Sequence, residues 1–427
     1  MQIHVVQQGE SLWGIAQAYG VSPQELISSN QVPNPGNLVP GQTLVIPIWG
    51  RYHWVQPGES LWQIAQMYGT TVAELLSINQ IPSPAMIMPG LRLYIPQGPR
   101  PVVEANAYIE PSGDPAERDE VGEVSGDLTY VAMFDYEVNP DGTLDLIPDQ
   151  AAREGARAGG AAPLMVITTI ADGEFSPELG ATILGSTELQ DRLLDNALRI
   201  MRERGFRGLN IDFERLRPED REAYNAFLRR AADRVRAEGY SISSALAPKL
   251  SATQVGEWYE AHDYRAHGEI LDFSVLMTYE WGWSGGPPMA VAPVDQVERV
   301  IQYAVSEMPP QKIMMGIPLY GYDWTLPYVP GGAFARVVSP QQAIELAARY
   351  GVPIRFDETA QAPWFRYRDE QGRDHEVWFE DARSIQAKFD LVKRYGLRGV
   401  SYWRLPVSFP QNWLMLRDTF QVRKLNG

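Results

Sequence analysis

Cysteine is absent from this chain of 427 residues. Its absence excludes disulfides, thiol nucleophiles and metal sites built on thiolates. Histidine is also scarce, and His262 and His267 lie five positions apart, a spacing that does not place two rings on one helical face. We therefore predict loop or surface positions for this pair, and neither a metal site nor a cofactor. The histidines are His4, His53, His262, His267 and His375.

Basic residues are too few to balance the acidic ones. The chain holds 37 Lys and Arg against 53 Asp and Glu, a net charge of −16, and lacks the basic stripe that binds a phosphate backbone. No segment approaches the ~20 consecutive apolar residues that span a bilayer. The first residues also lack the pattern of a signal peptide. We expect no nucleic-acid partner, no membrane partner, no cleavable signal peptide, and a monomer.

What the sequence does contain is an internal repeat. The stretch GESLW at residues 9–13 returns at residues 58–62, and Pro47 returns as Pro96 without a gap. Each copy opens with a β-type run, continues with a Ser that can cap an amphipathic helix, and ends in TLVIP or RLYIP. This pattern predicts strand, helix, helix, strand in each copy, with domains at residues 1–48 and 51–97.

The two copies resemble LysM domains in GESLW, in the Asn-Gln-Val/Ile-Pro turn and in the PGQxLxIP-type ending. The resemblance implies that they bind glycans containing N-acetylglucosamine, meaning peptidoglycan or chitin. For Trp13 and Trp62 we favour core positions over sugar-stacking positions, because small domains need large apolar side chains to fill their cores.

Apolar runs alternate with amphipathic stretches after a Pro-rich hinge, QGPRPVVE. Eight such units predict an α/β fold, a (β/α)8 TIM barrel over residues 101–427. Surplus length between Tyr322 and Phe379, where FRYRDEQGRDHEVWF predicts a hairpin, indicates a small α+β insertion after strand 7. The predicted strands are VVEANAYIE, LTYVAMFDYEV, PLMVITTI, GLNIDFERL, SISSALAPK, LDFSVLMTYEW, KIMMGIPLYGY and GVSYWRL.

The fourth run, GLNIDFERL, alternates polar and apolar residues. On a strand, Asn210, Asp212 and Glu214 share one face. An ordinary amphipathic strand whose polar face meets water would show the same alternation. In a barrel, however, the carboxyl ends of the strands build the active site. Aromatic faces stack on the C–H faces of pyranose rings, so aromatic strand ends beside carboxylates indicate a carbohydrate site. Those strand ends carry Tyr108, Tyr136, Tyr279, Glu280, Trp281, Tyr320 and Trp403.

Residues 101–421 resemble the catalytic domain of glycoside hydrolase family 18, whose fourth strand carries DGxDxDxE. Gly208, Asp212 and Glu214 match this pattern, and MTYE and GVSYWRL are similar to the sixth-strand and eighth-strand motifs. Arg207 and Asn210 replace the family's first two acids. We expect Arg207 to be harmless, and Asn210 to make Asp212 easier to ionise because one like charge is missing. Glu280 stands where many members carry Asp or Asn.

The resemblance also implies a substrate-assisted mechanism with retention. Glu214 is implied as the general acid, Asp212 as the group that orients the substrate's 2-acetamido group, and Tyr279 as its hydrogen-bond donor. For Tyr136 and Tyr320 packing is an equally good interpretation. The implied substrate-binding residues are Asn210, Tyr108, Tyr136, Glu280, Trp281, Tyr320 and Trp403.

With the repeats included, the whole chain is similar to bacterial N-acetylglucosaminidases that degrade spore cortex, which implies peptidoglycan as partner and the spore as location. Two alternatives stay open at this point. One is a chitinase, which no motif excludes. The other is a non-catalytic glycan-binding protein of the spore coat, against which the retained Glu214 argues.

Overall fold

The computed structural model describes residues 1–425, beginning with the two repeats. Each repeat is a strand, two helices and a strand, with its two strands paired antiparallel, as the sequence predicts. The first copy consists of Gln2–Val5, Leu12–Tyr19, Pro23–Asn30 and Thr43–Ile46. The second consists of Arg51–Trp54, Leu61–Tyr68, Val72–Ile78, a 3-10 turn at Pro84–Met86, and Arg92–Ile95.

The recurring GESLW has a local structural reason. Gly9 takes a φ of 85°, which favours glycine, and Ser11 caps the first helix by accepting from the Gly14 N–H. The Glu10 carboxylate accepts from the Gln7 N–H at 2.7 Å and lies 2.8 Å from the His4 ring. The second copy repeats these contacts with Glu59 and Ser60. The motif therefore fixes the turn that starts the first helix of each copy.

The prediction of core positions for Trp13 and Trp62 is wrong. Their side chains are 73% and 64% exposed. Helical spacing explains this, because Leu12, Ile15 and Tyr19 form the buried face of the first helix and Trp13 lies beside that face, towards solvent. The small core is filled without the indole rings.

The barrel is confirmed, and all eight predicted strands form in order. They run parallel, each pairing with its sequence neighbour, and the eighth pairs with the first to close the sheet. Barrel strands 1 to 8 are Val102–Ile109, Tyr130–Glu137, Ala162–Thr168, Gly208–Asp212, Ser241–Leu246, Phe273–Leu276, Ile313–Pro318 and Gly399–Leu405. A short strand, Gln421–Val422, adds to strand 1.

Helices cover the outside of the barrel. Leu209, Ile211 and Phe213 turn outward into the large core between sheet and helices. Glycine permits close strand approach at Gly399, where a Cβ would lie 1.7 Å from the Glu104 carbonyl oxygen. The principal helices are Glu117–Ser125, Gln150–Ala158, Pro177–Leu184, Thr187–Arg204, Arg221–Ala237, Tyr264–Ile270, Val294–Glu307, Ala382–Tyr395 and Pro410–Thr419. Within residues 1–425, no helix is long and apolar enough to cross a membrane.

The insertion after strand 7 is also confirmed. It contains a five-stranded antiparallel sheet and the helix Pro340–Tyr350. The predicted hairpin turns where the Asp369 carboxylate accepts from the Gln371 and Arg373 N–H groups. In sheet order, the strands are Arg336–Val338, Gly321–Thr325, Asp374–Trp378, Ala362–Arg368 and Arg355–Asp357.

The first repeat is docked tightly on the catalytic part of the chain. A Cβ at Gly41 would lie 1.9 Å from the carbonyl oxygen of Ile354 in the insertion. Buried Gln411 crosses the interface: its Nε2 donates to the Thr43 carbonyl at 2.7 Å and to Asn30 Oδ1 at 3.2 Å, and its Oε1 accepts from Thr43 Oγ1 at 3.1 Å. Val45 belongs to the core of the barrel. The first repeat is therefore a structural part of the catalytic unit.

We predict that Gln411→Leu lowers the free energy of unfolding by at least about 2 kcal/mol. The buried polar groups of Thr43 and Asn30 lose their hydrogen-bond partner, and each buried group left without one costs about 1–3 kcal/mol. Urea unfolding measures this change. Gln386→Leu is the control, since Gln386 bonds Asp390 within its own helix, and it should change stability by less than about 0.5 kcal/mol. Equal stability of the two variants would contradict the interface described here.

Candidate active site

A cavity of about 680 Å³ opens at the carboxyl ends of the barrel strands. Carboxylates and aromatic rings dominate its wall. The lining residues are Tyr108, Phe134, Phe175, Asp212, Glu214, Ala245, Ala247, Pro248, Trp258, Tyr259, Met277, Tyr279, Glu280, Trp281, Trp283 and Trp403. Seven of the ten site residues expected from the sequence line it, whereas Asn210, Tyr136 and Tyr320 do not.

Asp212 and Glu214 lie side by side at the end of strand 4. Asp212 is the last residue of the strand and is 4% exposed, while Glu214 follows two positions later on the same face and is partly open to the cavity. The pKa of each carboxyl depends on the other, because the two groups lie next to each other. The alternation of the sequence thus places two acids side by side.

The surroundings of this pair favour retention of a proton. Burial raises the pKa of Glu214 well above its usual value, and the neighbouring Asp212 charge raises it further. Burial also raises the pKa of Asp212 to about 7, with a further contribution from the negative charge of Asp135. The hydrogen bond from Glu214 acts in the opposite direction on Asp212. Burial and the charge of Asp212 therefore both favour the protonated form of Glu214.

Asn210 lies beside Asp212 on strand 4 and carries no charge, and other groups raise the pKa of Asp212. Asn210 Nδ2 donates to Ser243 Oγ at 2.9 Å, and its Oδ1 accepts from the Tyr108 hydroxyl at 3.2 Å, beneath the cavity. The like charge comes from Asp135 on strand 2, whose carboxylate accepts from the Thr168 hydroxyl. The pKa of Asp212 is consequently raised, although an amide replaces one acid of strand 4.

Two histidines behind the pair are buried: His262 lies in a loop, one of the two predicted positions, whereas His267 lies in the helix Tyr264–Ile270, contrary to the prediction. His262 and His267 are 1% and 0% exposed. His262 Nε2 lies 3.0 Å from the Phe213 carbonyl, and its Nδ1 accepts from the Ala247 N–H at 3.0 Å. Burial lowers the pKa of His262 to about 4. A neutral imidazole thus joins the backbone beside Glu214 to the wall formed by strand 5.

Aromatic packing shapes the remaining wall. The Trp403 ring centroid lies 5.0 Å from that of Phe134 and 5.6 Å from that of Tyr108, which holds the indole firmly. Tyr279 fits against strand 7 because Gly316 has no side chain there: a Cβ would lie 2.8 Å from the tyrosine ring. Burial raises the pKa of the Tyr279 hydroxyl well above its usual value, so this hydroxyl is a hydrogen-bond donor at neutral pH.

Glu280 is held by two tyrosines. Its φ is 68°, in the left-handed region, which turns the carboxylate towards strand 7. The Tyr320 hydroxyl donates to its Oε1, and the Tyr322 hydroxyl lies 3.0 Å from Oε1 and 3.2 Å from Oε2. Glu280 is exposed to the cavity, yet desolvation by the surrounding wall raises its pKa. Tyr320 supports Glu280 from behind and does not line the cavity.

Tyr136 lies outside the site, so its prediction as a sugar contact is wrong. It is fully buried among the helices, where its hydroxyl donates to Asp149 at 2.6 Å and accepts from Arg204 at 2.8 Å. Side chains alternate along strand 2, so Tyr136 faces outward there, whereas Asp135 faces the site. The packing interpretation was the correct one.

Part of the wall is formed by residues that the sequence did not predict for the site. Trp258 and Trp283 lie in loops beyond strands 5 and 6, and they are 44% and 47% exposed at the cavity. Arg215, next to Glu214, stacks on Trp258 with its guanidinium 5.4 Å from the ring centroid. Tryptophans in the loops after predicted strand ends, as in EWGWSGG, were the available signal.

The fold and the site together define a class of protein. A parallel (β/α)8 barrel presents, at its carboxyl end, a carboxyl pair that retains a proton within a cleft of Tyr and Trp rings. Such a cleft can hold a sugar and protonate a glycosidic oxygen. This is a glycoside hydrolase.

Comparison with known proteins identifies the family. The model "Glycosyl hydrolases family 18" matches residues 173–406, and the LysM domain model matches residues 4–47 and 53–96. The chain belongs to glycoside hydrolase family 18 and carries two LysM domains ahead of its catalytic barrel.

Similar proteins span the full chain. The cortical fragment-lytic enzyme of Bacillus subtilis (strain 168) is 58% identical over 427 residues, 99% of each chain. The crystal structure of the spore cortex-lytic enzyme SleL of Bacillus megaterium QM B1551 matches with a TM-score of 0.94 and 47% identity, covering 100% of this chain and 99% of that one. SleL of Bacillus cereus matches with a TM-score of 0.89 and 45% identity, covering 99% and 98%.

We predict that Glu214→Gln is more stable than the wild type at neutral and alkaline pH. Between the usual Glu pKa of 4.5 and the raised pKa, the folded state holds a proton that the unfolded state releases. Wild-type stability therefore falls as pH rises through this window, and Gln, which cannot ionise, removes this loss.

Urea unfolding at several pH values measures this difference, which should shrink as the pH falls below 4.5. Glu203→Gln is the matched control, because Glu203 is 57% exposed and pairs with Arg199 on a helix surface. That variant should show no comparable gain at high pH. A Glu214→Gln protein that is less stable than the wild type across the range would contradict the raised pKa.

Proposed function

We propose that this protein is an N-acetylglucosaminidase that cleaves the peptidoglycan of spore cortex, or fragments of it, with retention of configuration. The names of its full-length relatives, a cortical fragment-lytic enzyme and two spore cortex-lytic enzymes, support the substrate. The observation that carries the proposal is the pair of neighbouring carboxyl groups, Asp212 and Glu214, inside an aromatic cleft, where burial raises the pKa of Glu214.

In the first step of the proposed reaction, Glu214 gives its proton to the glycosidic oxygen. The carbonyl oxygen of the substrate's 2-acetamido group attacks C1, the bond from C1 to the leaving oxygen breaks, and a cyclic oxazolinium ion forms. Asp212 accepts a hydrogen bond from the acetamido N–H and stabilises the positive charge. Tyr279 donates to the acetamido oxygen and orients it for attack.

In the second step, the Glu214 carboxylate removes a proton from water. This water attacks C1 from the side that the leaving group vacated, and the ring of the oxazolinium ion opens. Glu214 regains its proton, and the product has the configuration of the substrate. One carboxyl group thus serves as acid and then as base.

The placement of the acids supports a nucleophile from the substrate. Asp212 and Glu214 lie side by side on one strand end, so they cannot stand on opposite faces of one sugar. Enzymes that use a carboxylate nucleophile place two carboxyl groups on either side of the scissile bond. Glu280, the third acid of the cavity wall, is bound by Tyr320 and Tyr322.

The other site residues have binding roles in this proposal. Trp403 forms the floor under the sugar, and Tyr108 and Trp281 contribute walls, since all three line the cavity. Glu280 offers an acceptor for sugar hydroxyls. Asn210 and Tyr320 act from behind, through Tyr108 and Glu280.

We further propose the division of the chain into LysM domains at residues 1–48 and 51–97 and a catalytic domain at residues 101–427. The LysM domains hold the enzyme on glycan strands and raise its local concentration there. We propose that the enzyme acts as a monomer in the spore.

We predict that incubation with purified cortex fragments produces new reducing ends that are N-acetylglucosamine, detected by mass spectrometry after borohydride reduction. Glu214→Gln should lower the rate by about 10²–10⁴-fold or more, the usual contribution of a general acid. Muramic acid at the new reducing ends would contradict the proposed bond specificity. Faster cleavage of chitin oligomers than of cortex fragments would instead indicate a chitinase.

We also predict that the 2-acetamido group is essential. A substrate with glucosamine in place of N-acetylglucosamine at the cleaved residue should not react, because it lacks the internal nucleophile. A thiazoline mimic of the oxazolinium ion should inhibit far more strongly than N-acetylglucosamine, since it resembles the intermediate. Asp212→Asn should weaken this inhibition. A covalent glycosyl ester on any Asp or Glu, found by mass spectrometry, would overturn the mechanism.

A further inference from the structure

Arg215 follows Glu214 directly in the sequence and lies at the rim of the catalytic cavity. Its guanidinium is 5.4 Å from the ring centroid of Trp258, which lines the cavity. It also reaches Glu174 in the short hairpin after strand 3 and Glu257 in the loop after strand 5. The side chain therefore spans the rim between two loops, next to the carboxyl pair.

The ion pairs of Arg215 are weak. Nη1 lies 3.3 Å from Glu174 and Nη2 lies 3.4 Å from Glu257, and these two glutamates are 81% and 70% exposed. Long ion pairs in solvent contribute little. Nε is buried and has no hydrogen-bond partner within residues 1–425. The guanidinium is thus held in place by stacking on Trp258, while most of its N–H donors are not engaged in strong bonds.

Two other arginines nearby have strong carboxylate partners. Arg404, at the end of strand 8, forms a short ion pair with Glu110. Arg217, two positions beyond Arg215, lies 2.8 Å from Glu178. Arg215 differs from both because its own ion pairs are long and exposed, so a carboxylate from outside the protein can replace them at small cost.

The cavity beside Arg215 is acidic. Its wall contains Asp212, Glu214 and Glu280, and its lining residues include no Lys, Arg or His. The whole chain carries a net charge of −16. An anionic substrate is therefore repelled over most of this cleft, and Arg215 is placed to offset the repulsion beside Glu214.

The proposed substrate has an acidic substituent close to this position. An N-acetylglucosaminyl bond of peptidoglycan joins C1 to O4 of a muramic residue, whose adjacent O3 carries a lactyl ether. This ether ends in a carboxyl group, which is either free or extended by amino acids with carboxylates of their own. In the proposed reaction Glu214 protonates O4, so the residue next to Glu214 is near the substituent on O3. Chitin has an uncharged hydroxyl there.

We propose that Arg215, backed by Trp258, binds a carboxylate of the O3 substituent on the leaving sugar and thereby favours peptidoglycan over chitin. The inference rests on the proposed function for the identity of the leaving sugar. A stacked, planar guanidinium presents paired N–H groups that fit the two oxygens of a carboxylate. Arg215 is thus a specificity-determining residue of the proposed reaction.

The test uses full-length enzyme and soluble tetrasaccharides of alternating N-acetylglucosamine and N-acetylmuramic acid. In one pair of substrates the lactyl carboxyl is free or converted to its methylamide. In a second pair the lactyl group carries one alanine, whose carboxyl is free or converted to its methylamide. In at least one pair, the wild type should cleave the free acid with a kcat/KM about tenfold or more above that of the methylamide, the value of one hydrogen bond to a charged group.

The pair with the larger ratio of acid to methylamide identifies which carboxylate Arg215 binds. Added salt should lower this ratio, because ions screen the attraction at the exposed rim. Arg215→Gln should bring the ratio close to one, with the loss confined mainly to the free acid. Arg217→Gln is the matched control, since it removes the same charge two positions away, and it should keep the wild-type ratio.

If Arg215 only joined the two loops, Arg215→Gln would slow both members of each pair equally, and that result would overturn the inference. A wild-type ratio close to one in both pairs would also overturn it, so the outcome does not depend on the folding of the variant. Equal cleavage of acid and methylamide at N-acetylglucosaminyl bonds leaves the proposed function standing. Wild-type enzyme that cleaves chitin tetramers but no muramic fragment would instead refute the proposed function, and this inference with it.

Discussion

The burial of Glu214 next to Asp212, which raises the pKa of Glu214, is the constraint on which the rest of the site depends. A carboxyl group keeps a proton near neutral pH only where water is scarce and a negative charge lies close by. The barrel provides both conditions, because strand 4 places the two acids on one face and strand 2 places Asp135 behind them. His262 then fixes the backbone next to Glu214 from the outside of the sheet.

The same constraint explains the aromatic wall. Phe134 packs edge to face against Trp403, and Tyr108 packs tilted against the same ring, which leaves an apolar floor and keeps the surroundings of the acids poorly solvated. In the proposed reaction, a sugar that enters this cleft meets ring faces on its C–H side and Glu214 on its oxygen side. The aromatic wall and the raised pKa of Glu214 have one physical origin, the exclusion of water at the end of strand 4.

The two LysM repeats have unequal positions in the folded protein. Sequence duplication suggests two equivalent modules on a hinge, but Gln411, Gly41 and Val39 join the first copy to the catalytic part of the chain. The second copy keeps the corresponding loop open to solvent. Two copies of one fold thus have different surroundings. The first copy packs against the insertion at Val39 and Gly41, whereas Met88 of the second copy is exposed to solvent.

The sequence by itself determined the architecture. Periodicity predicted eight strands, the repeat predicted two small domains, and GLNIDFERL placed Asp212 and Glu214 on a common face, because these features are local and strand alternation fixes side-chain direction. Only the tertiary structure decided that Tyr136 faces the helices, that His262 is buried behind the site, and that Asp135 supplies the charge beside Asp212. Each depends on which residues other strands and helices bring near, and a single sequence does not show distances between elements.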